Sequence, residues 1–121
     1  MKKIFTLPAL LFIALSFLSC TKQSVYQIDE GYWLSRERGE VVYASSSCSF
    51  YIIQTNNGYA IINTLGAKPY VGDILYGDFS YSGARDIYDW SGGLIISGDV
   101  KEYWLSYNGA QDAINYYCSN Y

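Results

Sequence analysis

Two runs of β-branched and aromatic residues constrain this chain more than anything else in it. Phe50-Tyr51-Ile52-Ile53-Gln54-Thr55 and Tyr59-Ala60-Ile61-Ile62-Asn63 are separated only by Asn56-Asn57-Gly58. Side chains of this kind favour the pleated strand. An Asn-Gly pair between two such runs is a strong hairpin signal, because a type I′ turn needs positive φ at both central residues. The chain is therefore read around an antiparallel hairpin.

Further strands are expected on both sides of it. Glu40 to Ala44 is one, after a charged turn from Ser35 and an apolar cluster at Tyr32-Trp33-Leu34. Val71 to Phe79 is another, bent or bulged at Gly72 and Gly77. Arg85 to Trp90 and Leu94 to Val100 follow, separated by Ser91-Gly92-Gly93, and Tyr103-Trp104-Leu105 either extends the last strand or begins the next connection. The period then changes. Ala110, Ala113, Ile114, Tyr117 and Cys118 fall on one helical stripe, with Asn108 as the expected cap. The expected fold is mainly β with a C-terminal helix: a small curved antiparallel sheet or a partly open barrel of five to six strands. The segment Gly72-Asp73-Ile74-Leu75-Tyr76-Gly77 resembles strands of small barrels such as the OB-fold.

The N-terminus carries a different signal. Met1-Lys2-Lys3 is basic, Ile4 to Leu18 is an apolar run, and Thr21-Lys22-Gln23-Ser24 is polar. That order is an export signal, and the run is shorter than the roughly 20 residues of a membrane-spanning helix. Phe17-Leu18-Ser19-Cys20 resembles a bacterial lipobox, with Phe17 where Leu is commonest and Leu18 where a small residue is common. The resemblance implies a lipoprotein signal peptide at residues 1–19 and a diacylglyceryl group on Cys20. It also implies membrane association in the cell envelope, through acyl chains such as palmitate, and residues 20–30, polar and without a sustained period, are read as a tether. Ordinary cleavage after Ser16, in Ala14-Leu15-Ser16, is the rival. Residues 31–121 form the single domain.

Cysteine parity supports the lipoprotein reading. The chain has three cysteines, Cys20, Cys48 and Cys118. In an oxidising compartment an odd thiol is a liability. If Cys20 is acylated, Cys48 and Cys118 can pair, pinning the terminal helix against the sheet.

Composition limits the chemistry. There are no histidines, so a Ser-His-Asp triad, a Cys-His pair and His-based zinc sites are excluded. The glycines sit at turns and form no phosphate loop. No cofactor and no metal site is expected. The spacing of Asp73 and Asp78 is not that of a calcium loop. From Cys20 onward there are 6 basic and 11 acidic residues, a net charge of −5, which argues against nucleic acid.

Val, Ile, Leu and Phe number only 22 from Cys20 onward, beside 14 Tyr and 3 Trp, so aromatic rings must supply much of the core. Tyr81, Tyr88, Trp90, Tyr103, Trp104 and Tyr107 nevertheless lie in or beside expected turns. Tyr88 and Trp90, next to Gly92-Gly93, are the candidate exposed ligand-binding patch. The expected function is that of a non-catalytic envelope binding or accessory module for a protein or glycan partner. Two alternatives stand beside it. One is a small hydrolase using Asp73, Asp78, Asp86 or Asp89. The other is an inhibitor or immunity-type protein.

Overall fold

A computed structural model describes residues 27–120. A short helix, α1 (Glu30–Leu34), precedes six strands and a terminal helix. The strands are β1 (Glu37–Ala44), β2 (Phe50–Thr55), β3 (Gly58–Thr64), β4 (Ile74–Gly77), β5 (Gly83–Asp89) and β6 (Leu94–Leu105), and the helix is α2 (Tyr107–Asn120). All pairings are antiparallel, in the order β1-β2-β3-β6-β5-β4, and β4 pairs back onto β1. The barrel is thus closed, built from two three-stranded meanders. Closure leaves no free sheet edge to template aggregation. No helix among the described residues is long and apolar enough to cross a membrane.

The hairpin owes its continuous apolar character to burial on both faces. Inward, Tyr51, Ile53, Ala60 and Ile62 join Val41, Leu75, Phe79, Ile87, Ile96 and Val100 in the barrel core. Outward, Phe50, Ile52 and Ile61 meet Ala110 and Ile114 of α2. The helical stripe read from the sequence is the face that packs, with Phe50 stacked on Tyr117 at 4.8 Å between ring centroids. Cys48, in the loop before β2, is bonded to Cys118 of α2, with their Cα atoms 5.5 Å apart. The expected disulfide is present, and it ties the helix to the sheet.

Several local expectations are corrected. The hairpin turn is not type I′. Asn56 and Asn57 occupy its centre, Thr55 pairs with Gly58, and positive φ falls on Gly58 at +122°. The Thr55 hydroxyl organises the turn by accepting from the Asn57 N–H and donating to the Gly58 carbonyl. Helix α2 starts at Tyr107, and its cap is Ser106 rather than Asn108. The Ser106 Oγ accepts from the Gly109 N–H at 3.0 Å, which satisfies an N–H that the first helical turn leaves unpaired. Tyr32-Trp33-Leu34 is helical, opened by Asp29, whose carboxylate accepts from the Tyr32 N–H. Strand β1 begins at Glu37, inside the expected charged turn, because its Glu37–Glu40 half pairs with β4 while Arg38 and Glu40 face outward.

Candidate functional site

The barrel has two ends. At one lie the C-terminal end of β5 and the start of β4, where Asp89 and Asp73 meet. Asp89 is 3% exposed and its carboxyl pKa is pushed up to about 6, chiefly by burial and further by the facing carboxyl of Asp73. N–H donors from Gly92 and Ser91 pull it back down. The pair borders a cavity of about 470 Å³, lined also by Lys68, Tyr70, Ser91 and Leu94. Tyr51 reaches across the core, fully buried, and its hydroxyl has no hydrogen-bond partner among the described residues. Burial and the charge of Asp89 both raise its pKa.

The four aspartates weighed as a hydrolase set do not converge. Asp73 and Asp89 are in hydrogen-bond contact, whereas glycoside hydrolysis needs carboxyls about 5–9.5 Å apart. Each also holds a turn: Asp73 Oδ2 accepts from the Tyr70 N–H at 3.1 Å and Asp89 Oδ1 from the Gly92 N–H at 3.0 Å. Asp78 lies at the other end of the barrel, 3.7 Å from the Arg36 guanidinium. Asp86 is exposed, where its carboxylate accepts from the Ser97 hydroxyl.

Of the two residues expected to form an exposed patch, the structure exposes one. Trp90 is 49% exposed, but Tyr88 is only 3% exposed. Helix α1 lies over it. The Tyr88 hydroxyl donates to Glu30 at 2.5 Å, and the Trp33 ring sits 6.3 Å from the Tyr88 ring. The bond to the Glu30 carboxylate, with burial, pushes the Tyr88 pKa up to about 12. Tyr88 is therefore a structural residue that binds α1 to the barrel. Cys20 lies outside the described residues.

The more elaborate surface is at the opposite end. Strand β6 carries two extra residues against β3: Tyr59 faces Leu105, Ile61 faces Glu102 and Ile62 faces Val100. Such bulges bend a strand and re-aim its side chains. Trp104 sits in the first of them with φ +57°, the one left-handed non-glycine among the described residues. For a bulky side chain that conformation costs on the order of 1–3 kcal/mol and persists only where its surroundings enforce it. Those surroundings are specific. The Trp104 Nε1–H donates to Ser80 Oγ at 2.9 Å, and the Ser80 hydroxyl donates to Glu37 Oε1 at 2.9 Å. The Phe79 N–H donates to the same oxygen, and the Asn57 amide donates to Glu37 Oε2 at 3.1 Å. Gly58 leaves room for the bulge, since a Cβ there would lie 2.8 Å from the Leu105 carbonyl oxygen.

Trp104 is left 62% exposed, and Tyr81, next to Ser80, is 55% exposed. The Arg85 guanidinium lies 3.9 Å from the centroid of the Tyr81 ring and donates to the backbone carbonyls of Asp78 and Tyr81. The sequence marks Trp104 and Tyr81 only as two of six turn aromatics. Glu37 and Ser80, which fix them, carry no local signal, and Gly58 is marked only as part of the hairpin turn.

Comparisons of the chain with protein-family models, with curated proteins and with solved structures return no match.

Proposed function

We propose that this protein is an exported lipoprotein of the cell envelope, held to the membrane by an acyl group on Cys20, whose barrel is a non-catalytic binding module. The observation that carries the reading is the Cys48–Cys118 bond. A structural disulfide belongs to an oxidising compartment. It also accounts for two of the three sulfurs and leaves only the one that follows Phe17-Leu18-Ser19. The basic, apolar and polar order of residues 1–24 supports the same route. A partner-binding role is supported by rigid aromatic rings held in solvent, which supply contact area at low entropic cost. The partner is a protein or a glycan of the envelope.

The test is metabolic acyl labelling of the full chain with membrane fractionation. The wild type takes up label and sediments with membranes, while Cys20→Ser stays unlabelled and is recovered in the soluble fraction. Label retained by the Cys20→Ser chain sinks the anchor reading.

A further inference from the structure

We infer that Trp104 and Tyr81 form a binding site for a neutral glycan, with a sugar ring stacked on the indole face. This rests on the reading of the domain as a binding module and names its ligand class and contact residues.

The orientation of the indole is the first argument. Its one polar atom is committed to Ser80, which is in turn fixed by Glu37. What Trp104 offers to solvent is therefore a flat apolar face rather than a hydrogen-bonding edge. Tyr103 supports it edge-on, 5.8 Å away at 88°. The backbone strain at φ +57° would be relieved by glycine at this position. The chain instead keeps a large exposed ring there.

The neighbours of the ring decide between ligand classes. A protein hot spot centres an aromatic anchor in an apolar patch that excludes water. The Ser80 hydroxyl touches the indole and links it to the Glu37 carboxylate, which also takes the exposed Asn57 amide, while Tyr81 beside Ser80 is flanked by the Asp78 carboxylate, paired with Arg36, and by the Arg85 guanidinium. A flat ring bordered by acceptors and planar donors matches a sugar, whose C–H face is apolar and whose rim is hydroxyls. Glu37 and Asp78 offset Arg36 and Arg85, so the site has no net positive charge to hold a polyanion, and the charge of −5 from Cys20 onward opposes one; the sugar is neutral.

The probe is an array of neutral oligosaccharides of the β-glucan, chitin, xylan, mannan and α-glucan series, read with the membrane-released domain and followed by fluorescence titration of the hits. At least one series binds the wild type. Trp104→Gly, which suits the left-handed backbone and so keeps the fold, weakens that binding at least ~10-fold. Trp104→Phe keeps part of it, and Tyr70→Ala at the far end of the barrel leaves it within about two-fold. Binding that survives Trp104→Gly, or no binding by any neutral series, overturns the inference. If no sugar binds but photo-crosslinking in cells captures a stoichiometric protein through residue 104, the glycan assignment falls while the binding-module reading stands.

Discussion

Replacing both Cys48 and Cys118 by serine removes one covalent bond and almost no volume, so its effect isolates the cross-link. The bond joins residues 70 apart in sequence. Chain entropy for a loop of that length predicts a loss of about 4 kcal/mol. That approaches the whole stability of a small domain, about 5–15 kcal/mol. For roughly 100 residues it corresponds to a fall in melting temperature of about 15–30 °C. The loss is local as well as global. Without the bond, α2 is held by Ala110, Ile114 and the Phe50–Tyr117 stack, which do not extend to its last residues. Amide exchange in the last turn of α2 therefore accelerates more than in β2 or β3. The assay is thermal unfolding by circular dichroism, for wild type and double-serine protein, each with and without reductant. Wild type falls to the level of the variant when reduced, and the variant ignores reductant. If oxidised wild type and the double-serine variant melt within a few degrees of each other, the entropic account of this fold is wrong.

Three other perturbations have defined signs. Asp89 has a folded pKa of about 6 against 3.8 for the free carboxyl, so its stabilising contribution is present when protonated and is lost as pH rises from about 4 to about 6. Asp89→Asn should match wild type near pH 4 and exceed it near pH 7.5 by on the order of 1–2 kcal/mol in urea unfolding, a gain that solvent at the cavity mouth keeps below the full shift. Tyr51→Phe removes a buried hydroxyl with no partner among the described residues and should raise unfolding stability by about 1–2 kcal/mol; a loss of stability would show that the hydroxyl is satisfied. Gly58→Ala combines a positive φ with a Cβ 2.8 Å from the Leu105 carbonyl oxygen, and should cost about 2–3 kcal/mol and shift the Trp104 emission as the bulge moves.

What could be read from the residues was what nearest neighbours determine. The β2–β3 hairpin and the stripe of α2 follow from local period, and both run as expected. The turn between β2 and β3 did not, because the glycine needed for positive φ sits one place later than a type I′ turn requires. The length of β6 was obscured by its bulges, which break strict alternation between Val100 and Leu105. Tyr88 looked exposed because its cover, Glu30, comes from 58 residues away. The same holds for the Trp104 platform. The Ser80 to Glu37 bond spans 43 residues and the Trp104 to Ser80 bond spans 24. No window of sequence contains both ends, so the rings could be listed but not ranked. The pairing of Asp73 with Asp89 was likewise invisible, since it depends on β4 and β5 lying side by side.

Intact and peptide-level mass spectrometry of protein taken from thiol-trapped cells bears most directly on the envelope account. It should find a chain beginning at an acylated residue 20, with residues 48 and 118 in one cross-linked species and neither carrying the trapping reagent. An unmodified Cys20 together with alkylated Cys48 or Cys118 would contradict it.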